Sequence, residues 1–127
     1  MNAGKVLEHE PLTDKIIGCA IEVHKRLGPG YLESICENPF IIGLQKQNLQ
    51  IERQREVTIT YDDREVGRHR LDLIVNDTIV VELKAVKNIE DIHFAIVKSY
   101  LRALSKEHGL LINFSKKVLE VKRVICK

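Results

Sequence analysis

Two carboxylates and a lysine fall within one short stretch whose apolar pattern predicts two neighbouring strands. The stretch is RHRLDLIVNDTIVVELKAV, residues 68–86, and its chemically useful members are Asp72, Glu82 and Lys84. The apolar residues of the two strands can share a face only if the loop between them has an odd number of residues. The loop 76–78 satisfies that condition. The register therefore predicts Asp72 directly opposite Glu82, and Arg70 opposite Lys84.

Opposed side chains on paired strands have Cβ atoms about 5 Å apart, so the two carboxylates would share one small space. Such a pair repels unless a proton, a cation or a metal ion intervenes. One interpretation is a divalent metal held by Asp72 and Glu82, with the backbone carbonyl of Leu83 as a third oxygen ligand. Lys84 would then lie beside the metal-bound water. The other interpretation is a buried ion-pair network in which Arg70 and Lys84 neutralise the two acids.

The elements that must position these residues follow from hydrophobic periodicity. A leader over residues 1–11 precedes a single domain over residues 12–127. Thr13 or Asp14 can cap a first helix, which Gly28–Gly30 stops, and a second helix begins near Tyr31. Strands follow at 57–61, 65–75 and 79–86, then a helix at 89–108 capped by Gly109, then two more strands, GLLINF and VLEVKRVI. The order ααβββαββ predicts an α/β fold with a mixed central sheet flanked by helices.

Composition excludes several classes of protein. No apolar run reaches the ~20 residues that a membrane helix needs, and the first residues lack the apolar core of a secretion signal. The chain has 3 cysteines, an odd number without a CxxC pair, which indicates reduced thiols and a cytoplasmic protein. Residues 85–127 carry 9 basic and 4 acidic side chains. That excess of +5 is compatible with a polyanionic partner.

The pattern D-x9-E-x-K on a hairpin resembles the core motif of the PD-(D/E)xK nuclease superfamily. Four segments in order, GPGYLESIC at 28–36, the LDL and VELKAV strand pair, HFAIVKSYL and GLLINF, resemble the GxxExxY family within it. The resemblance implies a restriction-endonuclease-like core in which Asp72, Glu82 and Lys84 match the metal-binding and catalytic positions. Glu33 matches a helix-borne acid that many members aim at the metal. Taken without the resemblance, Glu33 is equally typical of an acid at a helix N-terminus.

The sequence departs from the family pattern on the third helix. Ile96 stands where many relatives carry the Gln of a Q-x-x-x-Y motif, and only Tyr100 of that motif remains. A Gln can hydrogen-bond a substrate and an Ile cannot. The helical pattern predicts an inward face that includes Ile92, Ile96 and Tyr100. His93 is a further residue that could reach the site, although a His at such a position more often packs or hydrogen-bonds locally.

The resemblance implies hydrolysis of phosphodiester bonds in nucleic acid using Mg²⁺ or Mn²⁺, and DNA is a more expected substrate than RNA. Lys98, Arg102 and Lys106 recur every four residues and could form a basic stripe that contacts phosphates, or simply a solvated helix face. The competing expectation is a non-catalytic module that binds nucleic acid or a protein. A homodimer would supply the substrate surface that a chain of 127 residues lacks.

Overall fold

The computed structural model describes residues 10–127, and this part of the chain opens with two helices. Helix α1 is Glu10–Leu27 and helix α2 is Glu33–Lys46. Between them, Gly28 and Gly30 adopt φ values of 81° and 97°, which glycine accommodates without a steric penalty. Most of the expected leader lies outside the described residues, but Pro11 belongs to α1. The expected cap at Thr13 or Asp14 is wrong, because both residues lie inside α1 and Thr13 is buried there.

Strands and a third helix make up most of the remaining chain. Their bounds are β1 Ile51–Arg53, β2 Glu56–Tyr61, β3 Arg64–Arg70, β4 Leu73–Val75, β5 Ile79–Lys84, β6 His108–Asn113 and β7 Glu120–Ile125. Five of them form one sheet in the order β1-β4-β5-β6-β7. Only β5 and β6 run parallel within it, and the other neighbours are antiparallel. The expected mixed sheet between helices is therefore confirmed.

Strands β2 and β3 form a separate two-stranded sheet, which we call the ribbon. The observed order is ααβββββαββ, two strands more than the sequence predicts. One addition is the short β1. The other arises because the strand expected over 65–75 breaks at Leu71 and Asp72, where the chain turns toward residues 54 and 55. There the Leu71 N–H donates to the Arg55 carbonyl at 3.1 Å, and the Asp72 carbonyl accepts from the Gln54 N–H at 2.9 Å.

Helix α3, Asp91–Leu104, is shorter than the sequence predicts. It ends at Ser105, which takes the left-handed conformation with φ 55°, whereas Gly109 belongs to β6. The inward face also differs from the expected one. Val97, Tyr100 and Leu101 are buried, but Ile92 is 59% exposed and Ile96 36% exposed. The prediction was right for Tyr100 and wrong for the two isoleucines.

The five-stranded sheet separates two apolar cores. On one face α1 and α2 cover residues such as Val81, Leu83 and Ile112. On the other face α3 and the ribbon cover Ile74, Val80 and Leu111. Side chains alternate between the faces of a strand, so Glu82 shares the α3 face with Val80. Among the helices of residues 10–127, none is long and apolar enough to cross a membrane.

Gly109 gives a direct test of how closely α3 packs on the sheet. A Cβ at Gly109 would lie 2.9 Å from Val97 Cγ1 and 3.4 Å from the Val80 carbonyl oxygen. We expect Gly109→Ala to lower the free energy of unfolding by about 1–3 kcal/mol through overpacking. The matched control is Gly67→Ala in β3, where a new Cβ would meet nothing within 4 Å. Urea denaturation of both variants checks this, and equal stabilities would contradict the close packing of α3.

Candidate active site

The hairpin of β4 and β5 sets the spacing of the two acids. Its register pairs Leu73 with Val81 and Val75 with Ile79, which is the odd-loop register predicted from the sequence. The regular pairing of β4 with β5 ends at Leu73 and Val81. Asp72 and Glu82, the next residue on each strand, face each other. Arg70 does not lie opposite Lys84, as the sequence predicted, because it pairs with Glu56 across the ribbon.

Backbone groups hold both carboxylates. The Asp72 N–H donates to Glu82 Oε1 at 2.9 Å, and the Leu83 N–H donates to Asp72 Oδ2 at 2.8 Å. The second oxygen of each carboxylate accepts no hydrogen bond from residues 10–127. No buried polar side-chain atom lacks a partner in that part of the chain, so these second oxygens reach solvent. Each acid is thus fixed by one oxygen and free to bind a ligand with the other.

Burial makes this pair costly to ionise. Glu82 is only 5% exposed, and burial together with the charge of Asp72 raises its pKa to about 7. Burial also raises the pKa of Asp72, while the hydrogen bond from Leu83 opposes that shift. Lys84 lowers the pKa of both acids from a distance. Among the described residues no Lys, Arg or His forms an ion pair with either acid, so the ion-pair network is absent there.

Two further acids, both on α2, act on the pair through their charge. Glu33 lies in its first turn, and its charge raises the pKa of both Asp72 and Glu82. Glu37 acts more strongly than Glu33 on the pKa of Asp72, and it forms an ion pair with Arg53 at 2.8 Å. The sequence analysis missed Glu37. Its spacing of four residues from Glu33, which places both on one helix face, is the signal that could have found it.

Tyr100 closes the site from the α3 side. It is 6% exposed, and burial followed by the charges of Glu82 and Asp72 raises its pKa to about 12. The side chain therefore stays a neutral phenol that can donate a hydrogen bond. The ring of His69 in the ribbon lies beside it, with 6.2 Å between ring centroids. His93 does not join the acid pair; its Nδ1 accepts from the Glu90 N–H at 2.8 Å, which caps α3.

The basic residues of α3 lie away from the acids. Lys98 and Arg102 are exposed and each is two residues from Tyr100, which places them about 200° around the helix from it. Lys106 follows the helix and forms an ion pair with Asp77 at 3.2 Å, so the three residues do not form one helical stripe. Ile96 lies one turn before Tyr100, and the exposed helix surface nearest the site is apolar.

The donor set of the pair suits a divalent cation that prefers oxygen. Leu83 directs its N–H toward Asp72, and the carbonyl of a strand residue points to the same side as its N–H, so the Leu83 carbonyl lies at the same edge. In residues 10–127 no three Asp, Glu, His or Cys side chains converge as ligands. A cation held by two carboxylates and a carbonyl would keep several waters, as Mg²⁺ commonly does. The residues present therefore fit Mg²⁺ or Mn²⁺.

A mixed sheet between helices, carrying an acid pair and a lysine on one hairpin, defines a nuclease-type α/β domain. The chain belongs to the PD-(D/E)XK nuclease superfamily, whose family model matches residues 10–124. Among solved structures, the crystal structure of SSO0001 resembles it with a TM-score of 0.58 and 19% identity. The alignment covers 73% of this chain and 49% of the other, so the likeness concerns the fold of about half of that protein. A comparison with curated proteins found no match.

Proposed function

We propose that this protein is a metal-dependent nuclease of the GxxExxY type that hydrolyses phosphodiester bonds in DNA. The observation that carries the proposal is the acid pair of half-buried Asp72 and buried Glu82, which no described cation neutralises through an ion pair. Each acid keeps one oxygen free, and the pKa of Glu82 is raised to about 7. A fold gains no stability from such a pair alone. Binding a cation is the function that accounts for keeping it.

A divalent ion supplies charge stabilisation for the phosphate and lowers the pKa of a bound water. Asp72, Glu82 and the Leu83 carbonyl would hold that ion. Lys84 is on the same face of β5 as Glu82, and it would orient the attacking water and balance the charge of the phosphate. Tyr100 would donate a hydrogen bond to a phosphate oxygen. Glu33 and Glu37 would act on the same ion through water.

Lys98 and Arg102 are proposed as contacts for nucleic acid outside the cleavage site, with Lys106 contributing less because of its ion pair with Asp77. A homodimer is proposed to widen the substrate surface. The second candidate is a non-catalytic module that binds nucleic acid. Ile96 favours it, because the side chain next to Tyr100 offers no hydrogen bond to a substrate.

The test is a cleavage assay with labelled double-stranded DNA, single-stranded DNA and RNA, in Mg²⁺, in Mn²⁺ and with chelator. We expect metal-dependent cleavage of DNA that exceeds cleavage of RNA. Binding without cleavage under every condition would favour the non-catalytic module.

The salt dependence of DNA binding, measured in a separate binding titration, checks the basic residues. Arg102→Gln should lower by about one unit the slope of the logarithm of the binding constant against the logarithm of the salt concentration.

A further inference from the structure

A cavity whose lining includes neither acid of the pair lies in a groove between α1 and α2. Its volume is about 600 Å³, a size typical of binding pockets. The floor is apolar or small, and the rim carries three cations and one acid, Glu22. The floor includes Cys19, Pro39 and Ile42, and the rim cations are Lys15, Arg26 and Lys46.

The rim cations have no partners within the described chain. None of Lys15, Arg26 and Lys46 forms an ion pair with another of residues 10–127. Lys15 and Arg26 lie on one face of α1 about 16 Å apart along its axis, and Lys46 approaches from α2. Ile42 leaves 53% of its surface exposed in the same groove. The groove therefore combines an apolar surface with unneutralised positive charge, which suits an occupant that is apolar and acidic.

The tip of the ribbon has that chemistry. Tyr61, the last residue of β2, is 72% exposed, and Asp62 and Asp63 follow it at the turn. Neither Asp forms an ion pair within residues 10–127. Both adopt positive φ, 50° and 59°, where a tight hairpin turn normally prefers Asn-Gly. The tip therefore offers an exposed aromatic ring beside two carboxylates, which is the apolar and acidic chemistry that the groove suits.

We infer that the α1–α2 groove receives the ribbon tip of a second copy of this chain. Tyr61 would bury its ring against Cys19, Pro39 and Ile42, in the manner of an aromatic anchor at an interface. Asp62 and Asp63 would pair with the rim cations. Such a contact joins two different surfaces, so it closes into a ring or a reciprocal dimer, or continues as a chain. The inference concerns assembly and is independent of whether the acid pair cleaves nucleic acid.

The first test is sedimentation velocity of the full chain up to about 200 µM, at low and high salt, since the contact is partly electrostatic. We expect concentration-dependent association that weakens as salt rises. Tyr61→Ala and the double variant Asp62→Asn/Asp63→Asn should each weaken association about tenfold or more. Asn tolerates positive φ, so the double variant keeps its turn. Lys25→Glu is the matched control, because Lys25 is an exposed cation of α1 outside the groove.

The decisive measurement combines the two surfaces. In the wild-type background, neutralising the tip removes attraction and weakens association. In a Lys15→Glu/Lys46→Glu background, the same neutralisation removes repulsion and should strengthen association, which is the signature of direct coupling in a double-mutant cycle. Effects that simply add, or a protein that stays monomeric at every concentration, would overturn the inference. Circular dichroism and urea denaturation confirm that each variant is folded.

Discussion

Asp72→Asn is expected to abolish both Mn²⁺ binding and DNA cleavage, with a rate loss on the order of a thousandfold or more. The Asn side chain keeps the oxygen that accepts from the Leu83 N–H, at 2.8 Å in the wild type, so the fold should persist. What it loses is the negative charge that a divalent ion requires. Calorimetric titration with Mn²⁺ measures the first effect, and the cleavage assay measures the second.

Lys84→Ala separates the two effects. Lys84 is not a metal ligand in the proposed site, so the variant should still bind Mn²⁺. Its affinity should equal or exceed that of the wild type, because a nearby positive charge is gone. Its cleavage should nevertheless fall as far as that of Asp72→Asn. The control is Glu107→Gln, an exposed acid outside the site, which should change neither measurement. Undiminished cleavage by both site variants would refute the proposed mechanism.

Glu82→Gln should stabilise the metal-free protein at pH 8 by about 3 kcal/mol. The pKa of Glu82 is about 7 in the folded chain against an ordinary value of 4.5. The folded state therefore holds this proton more tightly than the unfolded state between those two values. The wild type loses the stability that it has below pH 4.5 as the pH rises through 7. The variant keeps this stability because its Gln side chain cannot ionise.

Urea denaturation from pH 4.5 to pH 8 checks this prediction. Wild type and Glu82→Gln should agree at the acid end and diverge toward pH 8, with the variant more stable. Added Mn²⁺ should close the gap by stabilising only the wild type, because a ligand that binds the folded state alone raises its stability. Parallel curves at all pH values would show that Glu82 titrates normally.

The acid pair could be predicted from the sequence because the parity of the hairpin leaves one register that buries both apolar faces. The residue types on either side of the 76–78 loop fix that parity. The break at Leu71 and Asp72 could not be predicted in this way. Residues 65–75 are compatible with one continuous strand, and only the backbone hydrogen bonds to Gln54 and Arg55, which are distant in the sequence, divide it.

The orientation of α3 was ambiguous for a different reason. Apolar residues lie on more than one side of this helix. Periodicity alone therefore could not decide whether the buried face carries Ile92 and Ile96 or Val97 and Leu101. The choice depends on the sheet beneath. Gly109 has no side chain, and Val97 approaches its backbone so closely that a Cβ there would be 2.9 Å away. That contact turns Ile92 and Ile96 toward solvent and Tyr100 toward the acids.

The way in which Asp72 is held has a consequence for how this site can change over time. Its N–H, its carbonyl and one carboxylate oxygen are each engaged, by Glu82, Gln54 and Leu83 respectively, and two of these partners are main-chain N–H groups that nearly any residue type supplies. Neighbouring side chains can therefore be exchanged without altering the spacing of the two carboxylates. The side chains around the pair can thus change while the geometry of the proposed ion site is inherited unchanged.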